Sequence, residues 1–287
     1  MTGFRTRPIV MLTPVLALTA ALAFAQGTDA PSEAVERQRA ALAAATEGQG
    51  FGPQSPRDIA RTDGANAQLF ALAPPAERMN LCNIHFHDGA EHRGGAFTRY
   101  AGPGNGDGYD SGFLYTGDLT AAETEPTGDP VDLGAGEGSL LPGDTIEVHY
   151  VYSTATVAPG PTLGACVSDA TANPQLRVEA QVMVLVNDPD AADFTELART
   201  EVVDGYHQAP GRPEGTGTPV VYRGSTTGPG YNETGSPYEV TWSVRPEVIK
   251  VDFATIARWY DDNPFAEDHA HGVRNLVVNP ALLSPIE

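Results

Sequence analysis

Positive charge is scarce in this chain: 17 lysines and arginines stand against 37 aspartates and glutamates in 287 residues, a formal net charge of −20. With a pI near 4.5, such a surface repels polyanions, which excludes a nucleic-acid partner and is indifferent to a neutral small molecule. Cysteine is nearly absent as well. Cys82 and Cys166 are the only two, too few for the four thiolates of a closed structural zinc site and enough for one disulfide. Long apolar runs are missing beyond the first 25 residues, so no later segment spans a bilayer as a helix. No internal repeat is visible, so the chain reads as one main domain.

The exception at the amino end has its own signature. Arg5 and Arg7 precede an apolar run from Ile9 to Phe24, and Ala23-Phe24-Ala25 supplies a small-x-small ending. Residues 1–25 read as a secretory signal peptide cleaved near Gln26. Thr13 and Pro14 interrupt the run, which is short for a membrane span; an uncleaved anchor is the alternative reading. Loss of the two arginines takes the charge from −20 to −22. A secreted or periplasmic location is oxidising, and there Cys82 and Cys166 most simply pair. Closing that loop stabilises the fold by about 4 kcal/mol in the chain-entropy model; two buried thiols are the alternative.

The remainder divides into 26–50, an arm or short helix rich in Ala, Glu, Gln and Arg, and 51–287, a single catalytic domain. From Gly48 onward glycine and proline recur between short stretches rich in Val, Ile, Tyr and Thr, the punctuation of a β protein. Strands are expected at 83–87, 145–153, 175–186, 220–222, 238–244 and 248–251, with one or two helical turns at 253–260. The fold class is therefore mainly β, α+β at most.

Chemistry concentrates in Cys82-Asn83-Ile84-His85-Phe86-His87-Asp88-Gly89-Ala90-Glu91-His92 and in Glu147-Val148-His149. Side chains alternate along a strand, so His85 and His87 point to one face, and a histidine on a neighbouring strand about 4.8 Å away can complete a trio. Three imidazoles hold a catalytic zinc with one position left for water. Glu147 shares a strand face with His149, and carboxylates fix the tautomer of a ligating imidazole. A His-x-His pair alone is as often surface sequence; the acidic-x-His partner strengthens the metal reading.

Taken in order, Gln54-Ser55-Pro56-Arg57-Asp58-Ile59, His85-Phe86-His87, Glu91-His92, Glu147-Val148-His149, Tyr222-Arg223-Gly224-Ser225-Thr226-Thr227-Gly228-Pro229 and Val240-Thr241-Trp242 resemble the successive landmarks of α-type carbonic anhydrases. The wording of 79–87 and 90–95 is more similar to the δ-class carbonic anhydrases and their bacterial relatives. The resemblance implies a large, mostly antiparallel twisted sheet with a few short helices, and a zinc enzyme that hydrates carbon dioxide reversibly to bicarbonate. It implies His85, His87 and His149 as metal ligands, His92 and Glu147 as braces behind them, and Glu91 and Thr227 as catalytic residues. Thr227 would orient the zinc-bound solvent and donate its own proton to Glu91. The hydroxyl loop departs from the α-type pattern, and counting forward from Gly224 favours Thr227 over Thr226.

Turnover needs a group titrating near neutrality; His207 is the leading candidate outside the ligands, and the sequence leaves the shuttle residue open. His269 and His271 read as solvated, and Asn232-Glu233-Thr234 matches the glycosylation triplet. Two rival functions remain. His85-x-His87-x-x-x-Glu91 also fits the first metal motif of a cupin-like metalloenzyme, with Glu91 as a ligand; the other rival is an exported zinc-binding relative of carbonic anhydrases without activity. Oligomeric state has no signal in the sequence.

Overall fold

The computed structural model describes residues 32–126, 131–132, 139–171 and 173–287; the signal-peptide reading of 1–25 lies outside them. Within 26–50, Ser32 caps a helix α1 at Glu33–Thr46, its hydroxyl accepting from the Val35 amide. Capping by a serine side chain satisfies one of the amides that a first turn leaves open.

The strands are β1 (Asn80–Asp88), β2 (Phe97–Pro103), β3 (Ser111–Tyr115), β4 (Val131–Asp132), β5 (Ser139–Leu140), β6 (Thr145–Ser153), β7 (Leu176–Val186), β8 (Glu201–Val203), β9 (Tyr206–Gln208), β10 (Val220–Ser225), β11 (Glu239–Val244) and β12 (Ile249–Asp252). The protein is mainly β. Its central sheet runs β1-β6-β7-β11-β10, with β12 also on β7. The pairs β1–β6, β6–β7 and β10–β11 are antiparallel, but β11 and β12 both run parallel to β7. That makes the sheet mixed, a feature the alternation pattern cannot reveal because both directions share the period of two. The long strands β6 and β7 are buried almost end to end, as the middle of a sheet covered on both faces should be.

Two cores cover those faces. On one, Ile84 and Phe86 of β1 and Val148 and Tyr150 of β6 pack with Phe194 of the short helix α2 (Phe194–Leu197) and with Ile256 and Trp259 of α3 (Ala254–Asp261). Ring centroids there lie 5.5 Å apart for Phe86–Phe194 and 5.0 Å for Phe194–Trp259, both edge-on; each such pair contributes about 1 kcal/mol beyond burial. On the other face Val151, Val178, Tyr222, Val240 and Trp242 form the second core. His85 and His87 alternate with Ile84 and Phe86, so the apolar packing of the first face fixes the imidazoles on the second.

Cys82 and Cys166 form a disulfide with both residues fully buried. It ties β1 to a 3-10 turn at Leu163–Cys166. Asn232 of the glycosylation triplet is buried, and its side-chain oxygen accepts from the Asn275 amide.

Candidate metal centre

His85 pairs directly with His149 across β1 and β6, and His87 with Glu147. Opposed residues of an antiparallel ladder share a face, which gathers three imidazoles. One potential ligand atom from each of His85, His87 and His149 lies within 4.8 Å of the others. Ring centroids are 5.2 Å apart for His85–His87, 5.1 Å for His85–His149 and 4.6 Å for His87–His149.

The outward nitrogen of every ring is taken by the protein. His85 Nδ1 lies 2.6 Å from Asn83 Oδ1, His87 Nδ1 3.0 Å from the Gly272 carbonyl, and His149 Nε2 2.9 Å from Glu147 Oε1. Each of these acceptors requires a proton on the nitrogen facing it, so the opposite nitrogen carries a lone pair. His87 Nε2 is buried without any partner. An orphaned buried acceptor costs about 1–3 kcal/mol, and three converging lone pairs are the donor set of a borderline-soft divalent cation. The residues present therefore fit the metal implied by the sequence.

Burial lowers the pKa of all three rings. His87 is pushed down to about 4, His85 well below its ordinary value and His149 in the same direction; after burial, His149 and His87 act on His85, and His271 on His87. The trio is thus neutral and able to ligate at physiological pH.

Behind the rings lies a buried polar chain. Glu147 Oε1 also lies 2.7 Å from His92 Nδ1, while Glu147 Oε2 accepts from the His92 amide. His92 Nε2 is 2.6 Å from the Tyr222 hydroxyl, which donates to Ser55 Oγ. Burial alone would raise the pKa of Glu147, but His92 and the hydrogen bonds from His149 and His92 hold it well below the carboxylate range. Glu91 goes the other way, raised by burial and by Glu147. Its Oε1 accepts from the Arg274 amide, and its Oε2 has no partner. Glu91 Oε2 stands 4.0 Å from His149 Nε2, the nitrogen already bound by Glu147. The ligand cluster found among the described residues has no carboxylate in it, which leaves a cupin-like arrangement without its fourth donor.

The centre opens into a cavity of about 470 Å³. Its lining combines apolar Val151, Val178, Val240, Leu163, Leu176 and Trp242 with polar Tyr109, Glu267 and His271. Thr226 and Thr227 both border it. The Thr226 hydroxyl is engaged with Ser236 Oγ at 2.7 Å, and no hydrogen bond joins Thr227 to Glu91.

Two further histidines differ in their relation to this cavity. His207 sits on β9, its amide bound to Asn80 Oδ1, and does not border the cavity. His271 does border it, its ring 5.3 Å from that of His85 and 5.0 Å from that of His269. The cause is a backbone crossing: the His271 amide donates to the Phe86 carbonyl and the Asp88 amide to the His271 carbonyl, which lays the C-terminal segment against β1. Gly272 then offers its carbonyl to His87; a Cβ there would stand 2.1 Å from the Asp107 carbonyl oxygen, so only glycine permits the approach. Asn83, Gly272, Tyr222 and Arg274 are site residues that sequence reasoning does not single out. Two of them carried a signal: Asn83 stands two positions before His85 on the same face, and Tyr222 opens the hydroxyl-loop landmark.

A family model described as delta carbonic anhydrase matches residues 76–255, more than half of the chain, and the chain belongs to that family. It is an enzyme with carbonic anhydrase activity. Among solved structures, the α-carbonic anhydrase from Thermovibrio ammonificans in complex with sulfanilamide is similar at 13% identity over 78% of this chain and 84% of that chain, with a TM-score of 0.31. A carbonic anhydrase from Chlamydomonas reinhardtii in complex with acetazolamide follows at 18% identity, over 79% and 87%, with a TM-score of 0.31. An α-carbonic anhydrase from Photobacterium profundum shows 14% identity over 87% and 95%, with a TM-score of 0.28. No curated protein matches it. No helix of the described residues is long and apolar enough to cross a membrane.

Proposed function

We propose that the protein is a zinc carbonic anhydrase, secreted or periplasmic after loss of a signal peptide, with His85, His87 and His149 as the ligands. One observation carries the metal assignment: three imidazoles, His87 and His149 buried and His85 half-buried, converge with their outer nitrogens occupied by Asn83, Gly272 and Glu147, which leaves His87 Nε2 without a partner. Three neutral nitrogen donors with a cavity in front suit zinc in its catalytic form. Bound zinc would supply Lewis acidity, lowering the pKa of water from 15.7 to about 7, a figure established for carbonic anhydrase as a class and not a measurement on this chain.

The chain's own residues do the rest. Val151, Val178, Val240 and Trp242 keep the cavity in front of the trio dry enough for an apolar gas. Thr227, on the cavity wall, would accept a hydrogen bond from the reacting solvent and, once turned toward Glu91 Oε2, the atom that lacks a partner, donate a hydrogen bond there while keeping its own proton; the engagement of Thr226 with Ser236 supports Thr227 for the task. Glu147, held anionic by His92, fixes the tautomer of His149. The proton left over reaches bulk buffer through His269, a partly exposed imidazole one ring beyond His271.

Stopped-flow carbon dioxide hydration with metal analysis tests this. The purified protein should lose its rate on chelation and regain it with zinc. A stoichiometrically loaded but inert protein would favour the zinc-binding relative without activity. Glu91→Ala should keep the metal and lose rate; loss of the metal would return Glu91 to the ligand set.

A further inference from the structure

The face of β1 that bears the ligands carries an irregularity just before them. Leu81 pairs with Tyr152 and Asn83 with Val151, so Cys82 is an extra residue without a partner on β6. Such a bulge re-aims the side chains that follow it. Around it the segment between β6 and the 3-10 turn is fastened repeatedly to β1. Asn80 Nδ2 donates to the Ala155 carbonyl at 2.9 Å, the Gly160 amide donates to the Cys82 carbonyl at 3.0 Å, and Asn83 Nδ2 donates to the Gly160 carbonyl at 3.2 Å. The Cys82–Cys166 disulfide closes the far end, with Ser153 Oγ donating to the Cys166 carbonyl at 2.6 Å.

The bond from Asn83 to Gly160 settles which way the amide faces. With Nδ2 committed to a carbonyl, Oδ1 is the atom turned to His85 Nδ1, 2.6 Å away. An acceptor there forces the proton of His85 onto Nδ1 and leaves Nε2 as a lone pair. Were the amide reversed, an N–H would face His85 and select the other tautomer, whose lone pair points away from His87 and His149.

We propose that the disulfide-fastened 155–166 segment is a positioning device for the metal centre, acting from the Gly160 carbonyl through Asn83 onto His85. The same segment contributes Thr162 and Leu163 to the cavity wall, so ligand tautomer and cavity shape are set by one fastening. Both Gly160 and Asn83 are positioning residues; neither belongs to the ligand trio. The inference rests on the reading of His85, His87 and His149 as the ligands.

The test is zinc affinity of the metal-free protein, measured by competition with a chromophoric chelator, together with the visible spectrum of the cobalt-loaded form and the melting temperature. Asn83→Leu, with the disulfide intact, should weaken zinc by roughly 10- to 100-fold and alter the cobalt spectrum. Asn83→Asp, which still offers an acceptor to His85 Nδ1, should restore affinity to within a few-fold. The double variant Cys82→Ser/Cys166→Ser should weaken zinc by roughly tenfold. If that variant does not fold, the Asn83 pair decides alone. Equal zinc affinity in wild type, Asn83→Leu and a folded double serine variant would overturn the proposal while leaving the ligand assignment standing. If the wild-type protein takes up no zinc, the ligand assignment itself has failed.

Discussion

Two crowded clusters of like titratable groups sit a few residues apart on the same strand pair. At the middle of β1 and β6 are the imidazoles of His85, His87 and His149; just beyond, Asp88 ends β1, Asp144 precedes β6, and Asp110 lies beside them. Burial first, and crowding second, disfavours the charged forms of His87, Asp88 and Asp144. His87 falls to about 4, while Asp88 rises to about 7 and Asp144 to about 6. The outcome for chemistry is opposite. A neutral imidazole presents a lone pair at physiological pH, whereas Asp88 and Asp144 hold their protons only up to about 7 and about 6, so the same physics prepares one cluster to receive a cation and makes the other an acid that gains charge as pH rises. The outer hydrogen bonds sharpen the contrast. The rings have acceptors behind them that aim the lone pairs inward, whereas Asp144 Oδ2 is spent on the Leu141 amide.

The heaviest blow to the first cluster is His149→Ala. Zinc sites bind with about 10–16 kcal/mol in all, so one donor of three or four is worth about 3 kcal/mol. Metal analysis and the hydration rate should fall together, zinc affinity by a hundredfold or more; retention of tight zinc would break the trio. Glu147→Gln comes next. It keeps the shape but removes the charge that His92 and His149 lean on, and zinc affinity measured by chelator competition should drop by roughly tenfold.

His269→Ala leaves the trio untouched. Its turnover should fall a few-fold in dilute buffer and return when imidazole is added, and an unchanged rate in dilute buffer would remove His269 from the proton path.

The second cluster gives the smallest effect and a test of sign. Asp144 holds its proton more tightly folded than unfolded, so the stability this contributes is present below about pH 4 and lost as pH rises through about 6. Asp144→Asn imitates the protonated acid and keeps the acceptor for Leu141. It should raise stability by about 1 kcal/mol at pH 8, some 2–4 °C in melting temperature, and by nothing measurable at pH 4. A gain at pH 4 as large as at pH 8 would mean that packing, not charge, is responsible.

What the sequence disclosed follows from what is local. The alternation of His85 and His87 with Ile84 and Phe86 needs only the period of a strand, and the β-rich punctuation needs only turn chemistry. Six expected strands are present in the central sheet, with bounds that shift by a few residues. The pairing of Cys82 with Cys166 was legible because two cysteines permit one bridge. The parallel attachment of β11 and β12 to β7 was not, since direction leaves no trace in periodicity. Nor was His271, whose place beside His85 depends on a backbone crossing between segments 185 residues apart. An identical His-x-His spelling at 269–271 carried no mark of being near the first, and composition pointed to solvent.

That crossing has a consequence for how the centre comes into being. The carbonyl that aims His87 belongs to Gly272, and the amide that holds Glu91 belongs to Arg274. During synthesis β1 is made early, and its His87 must wait unaimed until residue 272, 185 residues later, has left the ribosome. A tag, truncation or stop codon that disturbs residues 271–274 is therefore an active-site lesion in disguise, able to leave the sheet standing while the cation never settles.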